Sequence, residues 1–505
     1  MKNIYKYVFI GLFLGYCTAC DQNFDELNTN RVAATAIDPA FLLNNAVLNS
    51  GYPGGALVYD MGIVQQIISP NSGVLTGANF NQDNRNSTGS IWGSYYGGVI
   101  KNTRDVMFRI KDNPSRSNLL QMARIVQARA FMILVDTYGY IPYFQGGTGF
   151  SDQVFFPVYD APEVVYADIL KELEEASAAL STSGRIETAD VLFFGDIAKW
   201  KKLGYSLLLR AGMRMSKVNP GTAQQVVAKA FQGGVILTNA DNAVVLQDNN
   251  YTNGIGNTLN STEASNYYMT EPFVNFLKNS NDPRLSSIAV RYVGARSGPE
   301  QQPAVASTAP ALQIGMPMGN DDKGAVQAAI DAGLASFYEF SQIDRLRVGS
   351  RFAPTFWVSA SQTLLLLAEA RHRGWITSGS AAEYFEAGVR AHMNQMESFS
   401  PASAVAPADI NAYISANPLV DNTALEQINS QYWVSSVMNG PEAWANFRRS
   451  GFPNLAPNPF PGREVLFINR LTYPNSEISV NSENVQAAIA AMGPDNLETK
   501  IWWAK

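Results

Sequence analysis

Gly195-Asp196-Ile197-Ala198-Lys199-Trp200-Lys201-Lys202-Leu203-Gly204-Tyr205-Ser206-Leu207 carries the clearest helical pattern in the chain. Ile197, Trp200, Leu203, Gly204 and Leu207 recur three or four residues apart, the spacing of one helical face, and the pattern continues towards Met215. Trp200-x2-Leu203-Gly204-x2-Leu207 also matches the opening of a helix–turn–helix repeat, with Leu207 standing where an aromatic is usual. The same helical spacing recurs on both sides of this stretch.

Upstream, residues 119–134 carry apolar positions at helical spacing and stop at Tyr138-Gly139, with Pro142 preventing continuation. Ala161-Pro162-Glu163 opens another helix, running through Tyr166, Ile169, Leu170, Leu173 and Ala176. Downstream, helices are predicted over 355–373, 380–396 and 425–438, and Ala382-x2-Phe385 is a looser echo of the repeat. Helices joined by short turns predict a mainly all-α fold, an irregular tetratricopeptide-type scaffold. The pattern degrades between about 234 and 350, and again from 451 to 481. Loops that long inside a domain tend to be functional, so the scaffold is expected to carry a loop-rich ligand-binding face.

The first residues predict export. Lys2 and Lys6 precede an apolar run to Tyr16, then Cys17-Thr18-Ala19-Cys20. Positive, apolar and small residues in that order read as a signal peptide over residues 1–19. A run of about ten residues, roughly 15 Å as a helix, is too short for a hydrocarbon core of about 30 Å. Cys20 sits where a bacterial lipoprotein carries its lipid; an ordinary cleavage near Ala19, leaving Cys20 a free thiol, is the other reading. Acyl chains on Cys20 would anchor the chain to a membrane surface, since stable anchoring takes more than one chain. Residues 20–36, beginning Asp21-Gln22-Asn23-Phe24-Asp25-Glu26, suit a flexible tether, and 20–505 is read as one domain.

Composition narrows the function classes. A net charge of -6 without long Lys/Arg runs argues against nucleic acid as a partner. Both cysteines, Cys17 and Cys20, belong to the leader region, which leaves no disulfide and no thiolate within the fold. Only His372 and His392 are present, both in helical segments, and no Gly-x-Ser-x-Gly elbow flanks a serine. Asp248-Asn249-Asn250 and Asp321-Asp322 offer oxygen ligands but lack the spacing of a calcium loop, so neither a metal nor a cofactor is predicted.

An ordered set of motifs resembles the SusD-like (SusD/RagB) outer-membrane lipoproteins of Bacteroidetes. It includes Phe24-Asp25-Glu26-Leu27-Asn28, Gln127-Ala128-Arg129-Ala130-Phe131, and Asp136-Thr137-Tyr138-Gly139-Tyr140-Ile141-Pro142-Tyr143. Asn281-Asp282-Pro283-Arg284-Leu285, Glu442-Ala443-Trp444-Ala445-Asn446-Phe447-Arg448-Arg449, and Lys500-Ile501-Trp502-Trp503 complete it, with Tyr140 a departure where Asp is frequent. The resemblance implies a non-enzymatic surface protein on a tetratricopeptide-type scaffold. It also implies that the protein hands an oligosaccharide or peptide nutrient to a SusC-like TonB-dependent transporter. Most of these motifs read physically as scaffold: the arginines pair with carboxylates or loop carbonyls, and Trp502 and Trp503 pin the C-terminus.

Sugar binding needs an apolar ring face beside donors and acceptors for hydroxyls, which directs attention to loop aromatics next to amides or arginine. Phe80, Asn81 and Arg85, with Trp92 and Tyr96 on one helical face, form the first candidate cluster. Tyr251 and Asn253 with Tyr267 and Tyr268 form the second, and Phe337 with Tyr338 the third. The alternatives are a helical-repeat scaffold for other envelope proteins and a surface glycosidase. The last requires two carboxylates about 5–9.5 Å apart, and no paired-acid motif presents itself.

Overall fold

Asp196 begins the helix of the 195–207 stretch by accepting the Lys199 N–H at 3.1 Å, and the helix runs Ile197–Arg214. Its buried face holds Trp200, Leu203 and Leu207. At Gly204 a Cβ would lie 2.0 Å from Ser177 Oγ and 3.1 Å from Ile125 Cδ1, so this position lets three helices approach closely. The computed structural model describes residues 37–73, 75–261, 266–461 and 467–505. The expected signal peptide, lipid-bearing Cys20 and tether over 20–36 lie outside them.

The helices that build the scaffold are α1 (Pro39–Leu48), α2 (Arg85–Ser94), α3 (Lys101–Ile110), α4 (Ser117–Tyr138), α5 (Pro162–Ala179), α6 (Ile197–Arg214) and α7 (Pro220–Gly233), followed by α8 (Ala360–His372), α9 (Ala381–Gln395), α10 (Ala424–Ser435) and α11 (Gly440–Ser450). Sequential neighbours pack together: α4 on α5, α5 on α6, α6 on α7, and α8 on α9. The predicted stop at Gly139 holds, with φ +82 there and the Gly139 N–H donated to Val135 O. One boundary moves. Thr355–Val358, read from sequence as the start of a helix, is a strand, because Ser359 and Gln362 form a capping box that starts α8 at Ala360.

The strands are short: β1 (Ile67–Ile68), β2 (Ala243–Val245), β3 (Tyr268–Met269), β4 (Ala289–Tyr292), β5 (Ala306–Ser307), β6 (Gln342–Ile343) and β7 (Thr355–Val358). They pair antiparallel as β1–β3, β2–β7 and β5–β4–β6, and staple the irregular middle of the chain to the helices. Tyr268, Ile68, Met316 and Phe340 form a small satellite core there.

Buried ion pairs lock the helices together. Arg214 of α6 donates to Asp136 of α4 at 3.2 Å and to Glu442 of α11 at 2.6 Å. Asp136 also accepts from Tyr166 of α5 and, at 2.8 Å, from the Trp503 indole, so Trp503 does pin the C-terminus. Arg449 of α11 forks onto Glu369 of α8 with both N–H···O distances 2.7 Å, while Asn429 and Asn446 fill the remaining positions. Arg284 grips Asp282 and meets His392 Nδ1 at 3.0 Å, a structural use of that histidine. The family-like motifs are thus the ionic frame of the scaffold.

Candidate ligand-binding groove

Residues 81–86, Asn-Gln-Asp-Asn-Arg-Asn, lead into α2 with no apolar face. Residues 82–86 line an open polar groove of about 530 Å³ together with Gly73, Thr76 and Asn475. The segment is held from beneath. Asn81 takes a left-handed turn at φ 47, the Tyr59 hydroxyl donates to Gln82 O at 2.5 Å and accepts the Asn84 N–H at 2.6 Å, and Asn84 Nδ2 donates to Thr76 O at 2.9 Å. Burial pushes the Tyr59 phenol upward, so this strut stays neutral.

Arg85 ties the segment to the far end of the chain. Its Nη1 donates to Asp495 Oδ2 at 2.8 Å and Tyr473 O at 3.1 Å, and its Nε to Asp83 Oδ2 at 3.2 Å. Arg470 shares Asp495 at 2.8 Å, and Thr472 donates to Asp83 Oδ1 at 2.6 Å. Both carboxylates are therefore engaged. The side-chain amides of Gln82, Asn86 and Asn475 have no hydrogen-bond partner among the described residues. A rigid floor thus presents three free amides to solvent, each able to donate and accept.

The sequence-predicted residues fall into three groups. Arg85 lines the groove, and Asn81 and Phe80 support it from below: both are buried, Phe80 edge-on to Phe460 with ring centroids 4.9 Å apart. Trp92 and Tyr96 do share a face, with centroids 4.8 Å apart. Trp92, however, is only 5% exposed inside a ring cluster with Tyr138, Tyr159 and Tyr473, so it offers no face to a ligand. Tyr96 is half-buried, its hydroxyl donating to Pro142 O at 2.7 Å.

The other two clusters stand elsewhere. Tyr267 and Tyr268 are buried, Tyr268 in the satellite core beside Phe337. Phe337 and Tyr338 stack 4.2 Å apart and are half-buried. Asn253 is buried because it caps a short helix, accepting the Gly256 N–H at 2.9 Å while donating to Ala353 O at 3.0 Å; Tyr251 alone of that pair is exposed. Tyr267 and Tyr268 serve packing, because a large ring buries more apolar area than a small side chain. What sequence reasoning passed over was the amides of Gln82, Asn86 and Asn475. The unbroken polar run 81–86 signalled the first two, whereas nothing local marks Asn475.

Similarity points one way. A family model for SusD-like proteins, described as starch-binding and associating with the outer membrane, matches residues 30–474. Among solved structures, a chitin-binding protein is 29% identical with a TM-score of 0.81, covering 93% of this chain and 100% of its own. A SusD-like protein of Bacteroidetes AC2a is 23% identical at TM-score 0.81, covering 93% and 100%. A chitin-binding SusD homologue from Flavobacterium johnsoniae is 22% identical at TM-score 0.74, covering 92% and 98%. No curated protein matches the chain.

Proposed function

This chain belongs to the SusD-like family, and from that premise we propose that it is a non-catalytic protein that captures oligosaccharide at the 82–86 groove. The observation that carries the reading is the set of free amides of Gln82, Asn86 and Asn475 on a floor pinned by Arg85. Sugar hydroxyls are neutral donor–acceptor groups, and amides carried on a held backbone meet them without the cost of burying a charge. Asp83 is the only carboxylate lining the groove among the described residues, and it is already bound by Thr472 and Arg85. A glycosidase would need a second acid across the site. The chitin-binding relative supports a β-linked N-acetylhexosamine oligomer as the first glycan to try.

In the same reading the mature protein is lipidated at Cys20, held at the outer-membrane surface, and passes its glycan to a TonB-dependent transporter. Cys20→Ala should release it from membranes, as fractionation would show. For capture, the purified protein is titrated calorimetrically with chito- and malto-oligosaccharides and with a peptide digest. Saturable glycan binding is expected. The Gln82→Ala/Asn86→Ala pair should weaken it about tenfold, at roughly 1 kcal/mol or less per lost hydrogen bond. Binding of peptide alone, or glycan affinity indifferent to the double substitution, overturns the assignment.

A further inference from the structure

Helices α2 and α3 are joined by a six-residue π-helical turn, Tyr95–Ile100. Such turns are rare and tend to accompany function. On its outer side the turn and α3 face the 147–151 loop across a cleft of about 500 Å³, separate from the polar groove. Phe108 and Phe150 form its apolar wall, 41% and 76% exposed and edge-to-face at 6.3 Å. Tyr96 lies in the lining.

The charges around this cleft are unbalanced. Asp105, the one acid in the lining, pairs with Arg109 at 2.7 Å. Arg104 donates to carbonyls, with Nε on Gly146 O at 3.2 Å and Nη2 on Tyr143 O at 2.7 Å, and lies over the Phe131 ring; Glu172, Asp152 and Asp168 act on it from a distance, but no carboxylate among the described residues is within ion-pair reach. Lys101 is exposed and has no partner there at all. Two cations without a direct ion pair among the described residues thus lie beside exposed aromatic rings, on a chain of net charge -6.

We infer that this cleft is a second binding site, for a small amphiphilic organic anion: an aryl or alkyl body against the wall of Phe108 and Phe150, its anionic end towards Lys101 and Arg104. The volume suits a molecule of two or three rings. The apolar walls lower the local dielectric, which strengthens attraction to the two cations.

The test uses two fluorescent probes of similar shape, the anionic 1-anilinonaphthalene-8-sulfonate and the uncharged N-phenyl-1-naphthylamine. The anion should bind saturably and more tightly than its neutral analogue, and weaken as salt is raised. Lys101→Glu should abolish that preference, lowering anion affinity about tenfold while sparing the neutral probe. Phe150→Ser should weaken both probes by at least about tenfold. Both positions are exposed, so unchanged melting of each variant separates binding from folding. Equal affinities for the two probes, or anion binding untouched by Phe150→Ser, overturns the inference. Oligosaccharide affinity should survive both substitutions; its loss would place the glycan in this cleft and overturn the inference as well.

Discussion

Asp60 carries the sharpest residue-level consequence. It is wholly buried, and neither carboxylate oxygen has a hydrogen-bond partner among the described residues. Burial pushes its pKa up to about 7 from an ordinary 3.8, with Arg448 pulling the other way. The folded chain therefore holds a proton that the unfolded chain releases across that window. Its favourable contribution is full below the ordinary carboxylate value and is lost as pH rises through about 7. Asp60→Asn should leave stability nearly unchanged at pH 4 and raise it at pH 8 by up to about 4 kcal/mol. Melting curves at the two pH values decide this, and an equal effect at both would refute it. Trp92 makes the opposite point. Because its ring is interior, Trp92→Ala should cost about 3–5 kcal/mol in denaturant unfolding rather than act on ligand contact.

Among the elements, the helices were legible and the site was not. Periodicity located α4, α5 and α6 because each carries large apolar residues at the helical period, although only α5 buries a single face and α4 is enclosed nearly all round. Gly204 shows what periodicity misses: its role is to admit Ser177 of α5 and Ile125 of α4. Gly204→Ala should destabilise by about 1–3 kcal/mol through overpacking, and adding Ser177→Ala should restore part of that loss. No recovery in a urea unfolding series would place the strain elsewhere. The burial of Trp92 and Tyr268 was hidden for a related reason. An isolated Tyr or Trp carries no local signal of the side on which its neighbours will close, so Tyr268 and Trp92 could be read as binding faces although both are core.

At the level of the whole molecule, buried ion pairs join segments that are distant in sequence. The Glu369–Arg449 fork joins α8 to α11, with Asn429 of α10 as the third member. Burial opposes ionisation of Glu369, but Arg449 holds its pKa down to about 2 from 4.5. This contribution is present above the ordinary value and is lost as pH falls towards 2. Glu369→Gln should leave the guanidinium buried without its countercharge and cost about 3–5 kcal/mol near neutral pH, read by chemical denaturation. The sequence by itself determined the helical class, the order of the repeats and the family, because these rest on spacing within a few turns of chain. Only the tertiary structure decided the groove, since Arg85 reaches Asp495 and Asn475 joins residues 82–86 from almost four hundred positions away. Local spacing records which face of a helix is apolar, but not which distant segment will cover it.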